Sequence, residues 1–593
     1  MSKWLVEKQE ADIGLMTKVL KIHPVLAQAM VNRGVRTKNN SLRYLHPSPA
    51  FMHDPGAMKD LPKAVEIALA SARSFEKIAV YGDYDVDGVT ATVILYKILK
   101  KFGADVTYYI PHREDEGYGL NSGAVRDLRE SEVDLIIACD NGIAAHEEVR
   151  EAKELGLKVV VLDHHEPSFL EDNGLRRDVL PPADAVVDPK QRDCTYPFKL
   201  LSAAGIAYKF AELFCRTADI PFDESDEFMV FAMLATFCDI VDLLDENRII
   251  VKTGLDILNR NKHINLGLGM LIDEKGFAEK QITEYVVGFI LGPCINATGR
   301  LERATLAVEL FLCGDPDQAR TQARKLAELN EERKSMTSAA VTRVLGGLKS
   351  DIPNVIVVYD EEVHESIAGI VAGRIKETLC RPTIVLTRGV DCVKGSARSI
   401  EGYNIFSELY RCRKLFLRFG GHPMAAGMSL RRDNIEPLRR ALNENFTLQP
   451  EDLIPEIKID EELSLRDATY ELADALRVMG PFGKGNKSPL FLTRGLAPEQ
   501  LKVYDDKNML TFAFPVPDSP RLIRAVGFGL LDKFQEQVRG LYDAYEANKI
   551  LNGVLRSAGL SLDVVYSLEI NEYNNQVSVQ MKLKDFLVKN PAN

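Results

Sequence analysis

At 593 residues with 46% hydrophobic content, the chain is too long for one core and predicts three or four domains. A formal net charge of −12 argues against tight, non-specific binding to long duplexes, although local basic residues can still line a groove that threads one strand. No apolar run approaches membrane-spanning length and the opening residues lack a secretory apolar region, so a soluble, cytoplasmic protein is expected.

Residues 1–50 read as a short helical leader, with Ile22 to Met30 at its centre and Pro47 and Pro49 closing it. Apolar runs near 77–82, 105–110, 134–139, 158–162 and 184–187 then alternate with helical patterns. That alternation predicts an α/β fold with a doubly wound parallel sheet, a helical half after about residue 200, and a domain spanning 51–314. Residues 315–346 are polar and helix-favouring, which predicts one connecting helix. A second α/β domain over 347–449 starts with the strand Asn354 to Tyr359 and continues through Pro382 to Leu386. From 450 to 593 short alternating segments, among them Leu510 to Phe514, Leu522 to Phe528, Leu562 to Leu568 and Gln576 to Leu583, predict a small β-barrel.

Charged groups gather at the ends of the apolar runs. Val159 to Leu162 leads into Asp163-His164-His165, where a carboxylate and two imidazoles can present metal ligands from a rigid edge. Lys77 to Gly82 leads into Asp83, Asp85 and Asp87, then Gly88 and a helical pattern from Val89 to Lys101. If that segment is extended, the three alternating carboxylates point the same way and need a cation. An EF-hand is excluded, because no glutamate closes a twelve-residue loop and the flanks are strand then helix. Asp134 to Cys139 leads into Asp140-Asn141-Gly142. Parallel strand exits share one sheet edge, so Asp85, Asp87, Asp140 and His164 are expected to converge. Asp239 ends the helix-like stretch Phe231 to Cys238 and by itself reads as a helix-end residue. Gly395, Ser396, Arg398 and the pair Gly420-Gly421 suggest an anion pocket, whereas His422 alone reads as a satisfied structural histidine. Nine cysteines without a Cys-x-x-Cys pair point to reduced thiols, with Cys139 and Cys238 as small apolar residues.

In their order, Gly82 to Gly88, Asp140 to Gly142 and Asp163 to His165 resemble the motifs of the DHH phosphoesterase superfamily. Lys394 to Ser399 and Gly420 to Gly427 resemble its DHHA1 companion domain. Gly292 to Arg300, Gly480 to Asn486 and Glu569 to Asn574 are similar to the RecJ family of single-strand-specific exonucleases, and the resemblance spans about residues 20–586.

That resemblance implies hydrolysis of single-stranded DNA from 5′ to 3′ with release of mononucleotides, in DNA repair and recombination. Its implied cofactors are two Mn2+ ions, with Mg2+ as a substitute. Asp87, Asp140, His164 and Asp239 would hold one ion; Asp85 and a bridging Asp140 would hold the second, with Asp83 a weak ligand or a hydrogen-bond acceptor behind it. Asp163 would orient His164 or anchor the turn, and His165 would contact the scissile phosphate. Arg113, Asn296 and Arg300 would bind the terminal nucleotide and its 5′ phosphate, Ser396 and Arg398 would bind substrate phosphate, and His422 would face the metals. The last domain becomes an OB-like binder of single strands, with Phe482, Lys484, Tyr504, Phe528 and Tyr573 each better explained as core or turn. A helicase and a single-strand-binding protein are the implied partners, and the two-lobed plan predicts a monomer. The chain departs from the family pattern at Val363, where a Trp is usual, and at Glu365, where a Gly is usual. Either change could alter substrate affinity or base preference. A small DHH phosphodiesterase of cyclic dinucleotides or short RNA would not need residues 450–593, and a non-catalytic scaffold would have lost the carboxylates.

Overall fold

The computed structural model describes residues 2–7, 9–113, 115–172, 175–348, 352–555, 559–573 and 576–589. The chain forms two compact units, one of residues 48–453 with 483–485, the other of residues 1–47, 454–482 and 486–593.

The first unit contains, after the helix Leu61–Arg73, the strand β1 (Ile78–Tyr81), helix α1 (Val86–Phe102) and strands β2 (Val106–Tyr109), β3 (Leu135–Cys139), β4 (Lys158–Leu162) and β5 (Ala185–Val187). They form an all-parallel sheet in the order β2-β1-β3-β4-β5, with Val80 level with Ile137 and Cys139 level with Leu162. β1, β3 and β5 are buried along their whole length, so their sequences are apolar without alternation, as strands covered on both faces require. A helical half follows, including α2 (Ala203–Ala218), α3 (Ser225–Cys238) and α4 (Gly292–Leu301). The five-residue π-helical segment Val287–Leu291 leads directly into α4.

Helix α5 (Pro316–Gly347) runs uninterrupted for 32 residues. The Asp315 carboxylate accepts the Gln318 N–H at 2.8 Å and proline occupies the first turn, a strong start signal. Ala319, Ala323 and Leu326 belong to the core of the parallel-sheet domain, while Ala340 and Val344 belong to that of the next. This second domain holds β6 (Ile356–Tyr359), α6 (Glu365–Leu379), β7 (Thr383–Arg388), β8 (Val393–Arg398), β9 (Phe416–His422) and β10 (Ala425–Leu430). Its sheet runs β9-β10-β8-β7-β6, with only the β6–β7 pair parallel.

In the second unit, seven strands run in the order Glu461–Glu462, Phe491–Leu496, Ser561–Tyr573, Gln576–Lys589, Leu522–Phe528, Met509–Pro515 and Gln500–Tyr504. Residues 1–47, expected as a separate leader, pack here. Lys3–Val6 pairs in parallel with Glu456–Ile459, and Val25, Leu26, Ala29 and Met30 share one core with Leu472, Phe491 and Tyr566. Arg33 meets Asp460 at 2.6 Å. Phe528 is exposed and Phe482 packs on the core; Asn574, the last residue of one motif, lies outside the described residues.

Candidate active site

The acidic residues converge because β1, β3 and β4 end at one sheet edge. Asp83, Asp85 and Asp87 do so differently from the expected extended alternation. The chain turns after Gly82, Asp85 becomes the cap of α1, and Asp87 lies in the first helical turn. The Asp85 carboxylate accepts the N–H groups of Asp87 and Gly88 at 2.9 and 3.2 Å. Gly88 allows the turn to fold back on itself, since a Cβ there would stand 2.5 Å from the Asp83 nitrogen. Both oxygens of Asp87 accept from the start of α2, with Ala203 N–H at 2.8 Å and Ala204 N–H at 2.7 Å. A helix N-terminus thus holds that carboxylate in place.

Asp140 follows β3 with φ +62°, in the left-handed region that is uncommon for a residue with a side chain. His164 follows β4 and brings the cluster together, its Nε2 lying 3.1 Å from Asp140, 3.6 Å from Asp87 and 3.8 Å from Asp239. Asp239 caps the C-terminus of α3, and the next residue, Ile240, has φ +57°. A β-branched residue in that conformation is a backbone outlier, and such strain is characteristic of functional sites. Three sets of potential ligand atoms each lie within 4.8 Å: Asp87, His164 and Asp239; Asp83, Asp85 and Asp140; Asp140, His164 and His165.

The charge balance of the cluster calls for cations. Asp83, Asp87 and Asp140 are 1–2% exposed. Burial, then the neighbouring carboxylates, pushes all three well above the usual carboxylate range. Burial and Asp85 push Asp239 up to about 7. Burial, with His165 next to it, lowers His164 to about 3, so its ring is neutral and ready to ligate. One oxygen of Asp83 is buried with no hydrogen-bond partner. Crowded carboxylates, a neutral imidazole and an orphaned oxygen fit divalent cations held by mixed O and N donors.

Asp163 has a different task. Its carboxylate accepts from Ile143, His164 and His165 N–H groups at 2.9, 2.7 and 3.1 Å, and pairs with His165 Nδ1 at 2.7 Å. It anchors the turn as expected, but the ring it orients is that of His165 rather than His164. Although burial opposes the charge, Asp163 raises His165 to about 9. The same pair and the backbone donors hold Asp163 below the usual carboxylate range, again against the cost of burial. The Asp163 pair thus favours the protonated form of His165, whose ring is half exposed beside the carboxylate cluster.

The second domain of this unit supplies the opposing wall. A cavity of about 180 Å³ is lined on one side by Tyr84, Arg113 and Tyr118 and on the other by Glu365, Lys394 and Ser396. The Arg113 guanidinium lies 4.8 Å from the Tyr84 ring centre, and the Tyr118 hydroxyl donates to the Asp140 carbonyl at 2.8 Å and lies 3.3 Å from His165. Arg398 packs over Gly369, and it stands within electrostatic reach of Arg113 and Arg300. Arg300 donates to the Ser366 carbonyl at 2.7 Å, tying α4 to α6. Gly299 beside it packs on the Tyr84 carbonyl, which a Cβ would approach to 2.5 Å. Asn296, expected to bind substrate, accepts the Val86 N–H at 3.1 Å and so steadies the start of α1. His422 keeps much of its surface exposed, its Nδ1 accepts the Met424 N–H at 3.3 Å, and partial desolvation of the ring with Arg398 nearby disfavours its protonation.

The two departures from the family pattern separate here. Val363 is buried in the core of the second domain, whereas Glu365 reaches the cavity and pairs with Lys394 at 2.9 Å. The added negative charge is thus balanced locally. Tyr84, Tyr118 and Lys394 lacked a sequence signal strong enough to place them in the site. Asp188 was also missed, although it follows β5 as Asp140 follows β3. It is fully buried, with one oxygen unpartnered, and burial with Asp163 nearby pushes it up to about 8. Lys484, first read as part of the last domain, belongs to the unit of the metal cluster, where its carbonyl accepts from Leu243 N–H at 2.8 Å and its ammonium lies 3.6 Å from Asp242.

Three family models match in order along the chain: the DHH family N-terminal domain at residues 77–236, the DHHA1 domain at 353–447 and the RecJ OB domain at 459–585. The single-stranded-DNA-specific exonuclease RecJ of Bacillus subtilis is 35% identical over 595 residues, covering 99% of this chain and 71% of that protein. The Escherichia coli protein of the same description is 31% identical, covering 95% of each. The crystal structure of Thermus thermophilus RecJ in complex with Mn2+ superposes with a TM-score of 0.80 at 26% identity, covering 99% of this chain and 79% of that one. With three domains matched in order and full-length relatives above 30% identity, the chain belongs to the RecJ family of DHH phosphoesterases.

Proposed function

We propose that this protein is a metal-dependent exonuclease specific for single-stranded DNA, hydrolysing phosphodiester bonds from the 5′ end and releasing 5′-mononucleotides in DNA repair and recombination. The observation that carries the reading is a cluster of Asp and His side chains joined through Tyr118 to a cavity that presents Arg113, Ser396 and Lys394. The full-length relatives described as single-stranded-DNA-specific exonucleases support the choice of substrate.

Asp87, Asp140, His164 and Asp239 would hold one divalent cation, and Asp83, Asp85 and Asp140 a second. Mixed carboxylate and imidazole donors favour manganese, with magnesium as a substitute. Bound cations would acidify water at neutral pH and neutralise charge on the phosphoryl oxygens. Asp163 keeps His165 protonated and aimed, so that the imidazolium can donate to the scissile phosphate. Tyr118 steadies that ring and the Asp140 backbone together. Arg113, Ser396 and Arg398 bind the terminal phosphate and set the direction of digestion. Arg300 and Asn296 act by position, one tying the two walls and the other fixing the Asp85 turn. The OB domain holds the rest of the strand by stacking and charge. A helicase or a single-strand-binding protein would supply such an enzyme with substrate.

The test is digestion of a single-stranded DNA oligonucleotide with Mn2+, labelled separately at each end, beside duplex, RNA and cyclic dinucleotide controls. Early release of the 5′ label as a mononucleotide, with stepwise shortening of the 3′-labelled strand, is expected. Intact DNA together with cleaved dinucleotides or short RNA would reassign the site to a small phosphodiesterase.

A further inference from the structure

A second group of cations, one of them without an ion-pair partner among the described residues, lies outside the catalytic cavity. Where α5 packs against α6, an open groove of about 370 Å³ is lined by Arg333, Lys334, Thr337, Ser338, Thr342 and Arg374, with Val341 and Ile370 at its floor. The positions follow from helical spacing. Arg333, Thr337 and Val341 fall on one stripe of α5, Lys334, Ser338 and Thr342 on the next, and Ile370 and Arg374 are one turn apart on α6. Lys334 and Arg374 each have a lateral carboxylate on their own helix, Glu331 at 3.0 Å and Glu377 at 3.9 Å. Arg333 has no carboxylate within ion-pair distance among the described residues, and its Nε is buried without an acceptor. Burial and the nearby Arg374 disfavour its charge, which Glu331 offsets only in part. An unsatisfied, partly buried guanidinium beside two further cations is costly unless an anion comes to it.

The groove is also placed to receive one. Ser366 and Gly369 at the start of α6 meet Arg300 and Arg398 of the catalytic cleft, and Ile370 and Arg374 continue the same helix into the groove. Arg300 lies within electrostatic reach of Arg333 as well as of Arg113 and Arg398. A file of guanidiniums therefore leads from the phosphate end of the cleft to the groove. No aromatic ring lines the groove, so nothing there stacks a base. Hydroxyls and cations recognise phosphate itself, and the unpaired Arg333 beside two cations whose lateral carboxylates lie on their own helices favours the more highly charged monoester over a diester.

We propose that the α5–α6 groove is a second phosphate site, which takes the phosphomonoester of a released 5′-nucleotide, or free phosphate, away from the metal centre. The nucleotide source rests on the exonuclease reading; binding of free phosphate does not. The test is calorimetric titration of the full-length, metal-free protein with inorganic phosphate, thymidine 5′-monophosphate and thymidine, beside the variants Arg374→Glu and Lys334→Glu. Both side chains are well exposed, so the fold should tolerate either change.

The parent is expected to bind phosphate and the monophosphate but not thymidine. Each variant should lose about tenfold or more in affinity at one site, with an unchanged thermal midpoint and unchanged stepwise digestion of a 5′-labelled strand. Parental affinity and stoichiometry in both variants would overturn the proposal. So would a defect confined to oligonucleotide binding, which would make the groove part of the strand's path. Phosphate binding that is lost in the variants, in a protein that degrades no DNA, would sink the exonuclease reading and leave this site standing.

Discussion

The two walls of the catalytic cleft handle charge in opposite ways. On the acidic wall Asp83, Asp87 and Asp140 are buried and repel one another, and only Asp87 has a helix N-terminus to offset its charge. The basic wall, drawn from both domains, is already satisfied in part, with Arg300 on a backbone carbonyl, Arg113 over a tyrosine ring and Lys394 paired with Glu365. The acidic wall is therefore incomplete without cations, while the basic wall is complete enough to wait for substrate. Loss of a group on the first should abolish the chemistry, and loss of a group on the second should weaken binding.

Asp140→Ala tests that contrast most severely. Activity should fall by on the order of 10³-fold or more, as for other single groups that stabilise a transition state. Because one member of a repelling cluster loses its charge, the metal-free thermal midpoint of Asp140→Asn, which tolerates the left-handed φ of +62° better than Ala, should stay level or rise. A clear fall in that midpoint by calorimetry would mean that the cluster is not under electrostatic stress.

The response to metal and pH comes next. Groups such as Asp239, raised to about 7 in the folded protein and near 4 when unfolded, favour the metal-free fold at low pH. That contribution is lost as pH rises through about 7, which is where the carboxylates become free to ligate. The rise in thermal midpoint on adding a fixed concentration of Mn2+ should therefore be larger at pH 8 than at pH 6, corresponding to a stabilisation of about 2.7 kcal/mol where the metal is at a hundredfold excess over Kd. An equal rise at both pH values would contradict the raised carboxylates.

Arg398→Ala should raise KM about 10- to 100-fold with kcat nearly kept, since a charged hydrogen bond to substrate phosphate contributes ~1.5–3 kcal/mol. A fall confined to kcat would move Arg398 from binding to chemistry. Asp163→Asn should cost about 10- to 100-fold and shift the His165 imidazole resonances toward an ordinary titration near 6.5. Glu365→Gln should have the smallest effect, a few-fold tighter substrate binding as Lys394 is released; unchanged KM would show that the pair lies off the strand's path.

Much of this was legible because the signals were local. The strands ending at Tyr81, Cys139 and Leu162 are continuous apolar runs with a carboxylate or carboxylate-histidine exit, and α5 is a long polar helix with an acidic cap. The convergence of Asp87, Asp140 and His164 followed from parallel strand exits, but the alternation argument for Asp83, Asp85 and Asp87 did not hold. A capping aspartate before a helix competes with an extended chain, and at Asp85 the cap won. The pairing of Lys3–Val6 with Glu456–Ile459 was not legible, since no local pattern encodes a register between segments some 450 residues apart. Neither was the hairpin of Ser168–Asp172 with Leu175–Val179, whose charged strands carry no apolar alternation. The hold of Asn296 on the Val86 N–H was not legible for a related reason, because an amide suited to a nucleotide serves equally well to hold a distant backbone N–H.

Helix α5 has a consequence beyond joining two domains. Its 32 residues span about 48 Å without a break, with one end rooted in each domain's core. A strut of that kind acts as a ruler: the spacing between metal ligands and phosphate donors is set during folding, before any strand arrives. A glycine pair introduced near its middle should leave both cores folded yet let that spacing drift, separating the machinery from the distance at which it works.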